Sequence, residues 1–369
     1  TMIHIGDAVT GEKVEIPIFH TGIFGQSGVG KTVLIKYMMT QAVKEGFKII
    51  IFDSKLTRAQ FEGLGEIVPF YLKESTQHDV FRSLLEGMRQ TEKGNMQKFR
   101  SAFISICKGA KDFDEIGERL EFKLADKRFK GWTRSMYEEI QSDYLDLVEI
   151  LEGHPFTEDI VGWVNSNKHG PILRMPVRNL PNLALQGLVV GSVIDAFLPH
   201  PQRIIFIVDE APNFVNQQLF NPAKRPLSRL DSQGRDAEQF GWYTGQTISG
   251  FDKKNMKNLW YWVMGREMEQ NEVDDIYNTQ TQKILKKDQI KMLKVREFLV
   301  ATPDFTKLVR TPKMDEVLLN IALEAELEVP WKEPYQQRTP ATDKLPEPIG
   351  GEDWSDVDQE ISRVEAKLR

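Results

Sequence analysis

The sequence predicts an α/β fold with a mostly parallel central sheet and a helical insertion, on three observations. The segment Gly25-Gln26-Ser27-Gly28-Val29-Gly30-Lys31-Thr32 fits G-x-x-x-x-G-K-[ST] in full, between a strand-like run and a helical pattern. A second apolar run, 204–208, ends in the paired carboxylates Asp209 and Glu210. Apolar runs with β-branched residues alternate with helical patterns on both sides of a long charged region, the order expected of parallel strands joined by helices.

Taken in order, IPIFHTGIF (16–24), bounded by Pro17 and Gly25, reads as a buried strand entering the glycine loop. Residues 31–45 read as a helix with Leu34, Met38 and Ala42 on one face, closed by Gly46 as a C-cap. KIIIF (48–52) is the next buried strand. From 78 to 165 the pattern turns to charged helical segments, 78–90, 95–108, 132–152 and 157–165, broken by Gly109, Gly117, Gly131 and Gly153. Strands return at 171–177, where Pro176 suggests an edge or a bulge, and at 203–208, with a helix over 183–198 between them. Residues 241–245 and 259–264 add two strands and 295–301 a last one. A helix over 314–328, a Pro-rich connector and an acidic end at 350–369, disordered or folded as a strap, complete the chain. The expected divisions are a first core part (1–77), a helical insertion (78–165), a second core part (166–310) and a C-terminal region (311–369).

Of 369 residues 40% are hydrophobic, enough for one large α/β domain or two modest ones. A single cysteine excludes a disulfide framework, and Cys107 reads as a small buried helix residue. The sequence contains neither a long apolar run nor a signal-peptide pattern, so no transmembrane segment and a cytoplasmic location are expected. The net charge of −6 argues against a surface coated by nucleic acid, but it is compatible with a ring that is basic inside and acidic outside.

The glycine loop carries the strongest chemical expectation. Backbone N–H groups of Gly25, Gln26, Ser27, Gly28, Val29 and Gly30, with the helix N-terminus at Lys31, Thr32 and Val33, suit the phosphates of ATP. Lys31 reaches the β- and γ-phosphates, and Thr32 offers a hydroxyl to Mg²⁺. Asp209 would orient Mg²⁺ or its waters, and Glu210 would polarise the water that attacks the γ-phosphate. Asp53, also at a strand end, reads either as a cap or turn residue or as part of the site. Gln246 suits phosphate sensing or water orientation; a plain polar turn is the alternative.

Arg225, Arg229, Arg235 and Arg266 are candidates for an arginine supplied to a neighbouring subunit, with Arg235 first. A solvated salt-bridge role competes for each. His4, His20, His78, His154, His169 and His200 lack metal-ligand spacing. Trp242, Tyr243, Trp260, Tyr261 and Trp262 suit core packing better than base stacking. Two basic groups, Lys108, Lys111, Lys123, Lys127, Arg128, Lys130 and Arg134 in the insertion and Lys283, Lys286, Lys287, Lys291 and Lys294 later, suit either a polyanion or a solvated surface.

The ordered pieces HTGIFGQSGVGKT (20–32), IIIFDSK (49–55), IIFIVDEAPNF (205–214), GRDAEQFGWYTGQTIS (234–249) and LWYWVM (259–264) resemble the HerA/FtsK superfamily of ring-forming DNA-pumping ATPases, most closely its HerA-like helicase branch. The resemblance spans roughly residues 16–310 and implies a RecA-like P-loop core. It also implies a homohexamer around duplex DNA, ATP at the subunit interfaces, and a nuclease or DNA-processing partner. Its nucleotide residues map onto Lys31, Thr32, Asp209, Glu210 and Gln246, and Arg235 matches a basic residue of its GR segment. Motors of conjugation, secretion or viral genome packaging belong to the same superfamily and are the alternative; an ATP-gated assembly module is a further one. This chain departs from the family where Gln-Arg-Pro is replaced by Gln246-Thr247-Ile248, and where Asp-Glu-Ala-His is replaced by a sequence with Pro212 after Ala211. Archaeal relatives carry an N-terminal β-barrel for which the residues before 16 leave no room, so a reduced relative, a conjugative or viral branch, or a trimmed chain is expected.

Overall fold

Apolar strands backed by helices on both faces can bury their full width, and the computed structural model is built in this way. It describes residues 1–55, 61–72, 102, 105–107, 110, 113–152, 157, 159–166, 169–180, 183–216, 221–252 and 258–313. Residues 1–332 form one compact unit and 333–369 another; every described residue lies in the first. The expected helices at 78–90 and 314–328, most of that at 95–108, and the acidic end fall outside the described residues.

The strands are β1 (Met2–Ala8), β2 (Lys13–Pro17), β3 (Thr21–Phe24), β4 (Lys48–Phe52), β5 (Glu66–Ile67), β6 (Ile172–Met175), β7 (Ile204–Val208), β8 (Gln239–Gly245), β9 (Tyr261–Met264), β10 (Glu297–Ala301) and β11 (Thr306–Arg310). They form one sheet in the order β2-β1-β11-β10-β9-β3-β8-β7-β4-β6-β5. From β9 to β5 the neighbours are parallel; from β9 to β2 they are antiparallel. The helices are α1 (Lys31–Lys44), α2 (Phe113–Ala125), α3 (Trp132–Glu152), α4 (Ile160–Asn165), α5 (Leu183–Phe197), α6 (Lys224–Gln233), α7 (Gln270–Thr279) and α8 (Lys287–Lys291).

Alternation along the strands separates two cores. Ile50, Phe52, Ile204, Phe206 and Val208 face the side packed by α2–α8, while Ile49, Ile51, Ile205 and Ile207 face the side packed by α1. Fully burying each such side chain contributes about 1.5–3 kcal/mol, so the parallel half is held chiefly by these two layers.

Several expectations change. The run 16–24 is not one strand: β2 ends at Pro17, and β3 begins at Thr21 among different neighbours. β2 pairs with β1, a strand absent from the sequence reading. The strand over 295–301 is not the last, because β11 follows and pairs with both β10 and β1. Pro176 lies just beyond β6, which is flanked by β4 and the short β5, so it ends a strand instead of marking an edge or a bulge. Trp242, Tyr243, Tyr261 and Trp262 are core residues, whereas Trp260 is 40% exposed.

Candidate nucleotide site

In parallel sheets the C-terminal strand ends gather the loops that meet ligands. Here β3 runs into the glycine loop, β4 into Asp53, β7 into Asp209 and Glu210, and β8 into Gln246. Because β8 lies between β3 and β7, Gln246 leaves the sheet between the glycine loop and the carboxylates.

The loop requires glycine in two places for different reasons. Gly25 has φ +142°, and a Cβ there would stand 3.0 Å from Gly265 Cα; the backbones touch, and Gln26 N–H donates to Arg266 O at 3.0 Å. Gly28 has φ +83° with nothing within 4 Å of its would-be Cβ, so its backbone conformation, not space, calls for glycine. Gly30 is the left-handed residue that opens α1, while Val29 is buried and anchors the loop. Behind the loop, Arg296 takes φ +70° and donates its N–H to Val29 O at 2.9 Å, and its own carbonyl accepts the Thr311 N–H at 2.9 Å.

Lys31 Nζ donates to the carbonyls of Gly25 and Gln26, the latter at 3.1 Å. Burial lowers the Lys31 pKa, opposed by Glu210 and Glu267. Thr32 and Val33 occupy the first turn of α1, half-buried, beside Lys31. Ser27 is exposed at the loop tip.

Asp209 is buried, with Oδ1 accepting from Thr244 Oγ at 2.7 Å and its carbonyl accepting from Ser54 Oγ at 2.6 Å. Its Oδ2 is buried without a hydrogen-bond partner, and burial pushes its pKa up to about 6. Such an orphaned carboxylate oxygen, near enough to Lys31 to act on its charge, fits a divalent cation's donor set. Glu210 takes φ +49°, a left-handed conformation rare for a residue with a side chain. Lys55 Nζ lies 3.3 Å from Glu210 Oε1, and Gln246 Nε2 donates to the same oxygen at 3.2 Å. The structure therefore brings Gln246 and Glu210 into contact.

Asp53 has a structural partner set. Its Oδ2 accepts from Arg178 at 2.8 Å and Arg174 at 3.4 Å, tying β4 to the turn after β6. Burial raises its pKa while the two arginines lower it.

Arg235 lies before β8, at the opposite end of the parallel strands from the glycine loop. Its guanidinium sits 5.4 Å from the ring centroids of both Phe19 and Trp260, at a cavity of about 530 Å³ that His20 and Asp231 also line. It is outside this chain's own nucleotide site. Arg229 pairs with Asp195. Lys287 pairs with Asp274 at 2.9 Å, and Lys291 and Lys283 bind α7 acceptors or nearby carbonyls, so these members of the later basic group pack on α7. In the insertion, Arg128 pairs with Asp126 and Arg134 with Glu138; Lys108 and Lys111 lie outside the described residues.

Two buried acids escaped sequence reading. Glu267 is 6% exposed, and its pKa is raised to about 7 by burial and by Glu272, with Lys31 opposing. Glu272 binds the loop after β8. With Glu269 they fall in one charged stretch that marks none of them locally, and only the approach of β9 to β3 brings them to the site.

A glycine loop on one parallel strand and two carboxylates on another, separated by a polar strand end, define a P-loop nucleotide-binding fold with a RecA-like core. The family model described as the central domain of helicase HerA matches residues 3–55. Among solved structures, the chain is similar to VirB4 of Thermoanaerobacter pseudethanolicus, with 14% identity and a TM-score of 0.61 over 86% of this chain and 98% of that one. It is also similar to the bacterial conjugative coupling protein TrwB lacking its N-terminal segment, with 12% identity and a TM-score of 0.55 over 84% and 89%. The plasmid coupling protein TrwB with the ATP analogue ADPNP matches at 14% identity and a TM-score of 0.55 over 80% and 86%. At these identities the likeness is one of fold. No curated protein sequence matches. The family-model match covers the first strands, the glycine loop, α1 and β4, and the likeness to VirB4 and TrwB is one of fold. Among the described residues, no helix is long and apolar enough to cross a membrane.

Proposed function

We propose that the protein is a Mg²⁺-dependent ATPase that works as a ring-shaped motor moving DNA, of the conjugation or secretion kind. The observation that carries this reading is the Gln246–Glu210 contact at 3.2 Å beside the glycine loop and the half-orphaned Asp209. It joins the loop after β8 to the carboxylate at the end of β7, and β8 lies between that strand and the one that enters the glycine loop. The fold likeness to VirB4 and to a conjugative coupling protein favours this motor over a DNA-end-processing helicase, which is the second reading.

The chain's groups divide the work. The amides of residues 25–30 and the α1 N-terminus bind the phosphates, and Lys31 exchanges its loop carbonyls for phosphate oxygens. Thr32 and Asp209 would hold Mg²⁺, which supplies neutralisation of charge on the β- and γ-phosphates. Glu210 orients the attacking water and receives its proton at a carboxylate oxygen, while Gln246 and Lys55 fix that carboxylate. In this reading Asp53 shapes the floor beside Asp209, and Arg235 serves a neighbouring subunit.

Glu210→Gln tests the assignment. It keeps the shape and the Gln246 contact but cannot accept a proton, so ATP turnover should fall by about 10²–10⁴-fold with nucleotide affinity retained. Near-normal turnover by the variant would remove Glu210 from this role.

A further inference from the structure

Gln246 is exposed, so packing alone does not fix it. Its loop is held from outside. Glu272, in the first turn of α7, is only 2% exposed, and its carboxylate accepts the Ile248 N–H at 2.6 Å, the Ser249 N–H at 3.3 Å and the Ser249 hydroxyl. Three donors from two adjacent residues converge on one buried carboxylate, and such charge-assisted bonds are about twice as strong as neutral ones. Two residues upstream, Gln246 donates to Glu210. The stretch that leads into α7 also grips the glycine loop: Arg266 O accepts from Gln26 N–H, and Gly265 packs on Gly25. Residues 265–272 therefore hold both the phosphate loop and the loop of Gln246.

We propose that Glu272 is a positioning residue: through Ile248 and Ser249 it fixes the loop that places Gln246 on Glu210, in register with the glycine loop. The proposal rests on the ATPase reading above. Glu272 does not touch substrate; it acts through Gln246. A merely structural acid would add stability to the fold without being coupled to Gln246 in turnover.

A double-mutant cycle separates these roles. Glu272→Gln keeps the side-chain shape but turns one acceptor oxygen into an amide that cannot accept, so the three donors are no longer all satisfied. With folded protein confirmed by circular dichroism, kcat for ATP should fall about ten- to a hundred-fold, the scale of a misplaced catalytic group. Affinity for a fluorescent ATP analogue should stay within about two-fold, since the phosphate loop keeps its own contacts. On a Gln246→Ala background the same substitution should change kcat by less than about two-fold, because the group it positions is gone. Ser249→Ala, which removes one donor and leaves both amides paired, should give a smaller loss that also vanishes on that background; it serves if Glu272→Gln does not fold. Losses that multiply in the double variant, or an unchanged kcat in folded Glu272→Gln and Ser249→Ala, overturn the proposal. If Gln246→Ala and Glu210→Gln both leave turnover intact, the roles given to those two residues fall and this proposal with them; if the parent protein turns over no ATP, the ATPase reading falls. If those two lower turnover and the Glu272 and Ser249 variants leave it unchanged, only this proposal falls.

Discussion

At the scale of single residues, the structure spends unfavourable conformations and buried charge in a few places. Glu210 holds a left-handed backbone at a cost of about 1–2 kcal/mol, where its carboxylate meets Lys55 and Gln246. Asp231 is fully enclosed below Tyr243, whose hydroxyl donates to it, and burial lifts its pKa from 3.8 to about 8. His20 stands 3.5 Å away, but burial lowers its pKa to about 4 and its Nδ1 accepts the Gly241 N–H, so the contact joins two neutral groups near pH 6. The folded protein holds the Asp231 proton more firmly than the unfolded chain does. The stability this brings is complete below about pH 4 and is lost as pH rises towards about 8. Asp231→Asn, which still accepts from Tyr243, should flatten the fall in the urea midpoint across that window; an unchanged slope would contradict the assignment. The glycine loop, Asp209 and Glu210 were legible because their spacing is chemical. Glu267 and Glu272 were not, since nothing local marks an acid that becomes buried only through distant strand pairing. The departure at Ile248 gains a reason: its N–H donates to Glu272, and proline has none to give.

At the scale of elements, the helices that cover the sheet approach one another closely where glycine permits. A Cβ on Gly187 of α5 would fall 1.9 Å from Asn221 Oδ1. Asn221 cannot retreat easily, because its Nδ2 donates to Leu183 and Asn213 carbonyls at 3.2 and 3.1 Å and its Oδ1 accepts the Ala223 N–H at 2.9 Å. Gly187→Ala should therefore cost about 1–3 kcal/mol, read as a lower urea midpoint at unchanged m-value. A midpoint equal to the parent's would show that α5 and α6 separate freely. The helices over 31–44, 132–152 and 183–197 were legible from periodicity, as were the apolar parallel strands. The break within 16–24 was not, because Ile16, Ile18 and Phe19 carry apolar character past the end of β2, and the polar His20 and Thr21 that follow are buried too, while the pairing partner changes.

At the scale of the whole molecule, the sheet has a parallel half that carries the site and an antiparallel half that begins with β10. The second half was only partly legible, since β1 and β11 are mixed in polarity and paired across nearly the full described chain. Motor function is a property of an assembly, and its test belongs at this scale. Preparations confirmed as rings should hydrolyse ATP faster with duplex or single-stranded DNA than without it. Stimulation that needs a membrane or relaxase partner would point to the conjugative kind. Rings that respond to neither would contradict the motor reading.

The left-handed turn at Arg296 has a mechanical meaning. Thr311 leaves β11 hydrogen-bonded to Arg296, and Arg296 is hydrogen-bonded to Val29 inside the phosphate loop. Two successive hydrogen bonds thus fasten the end of the last strand to the glycine loop, so the antiparallel half of the sheet is tied to the candidate site at a point far away in sequence.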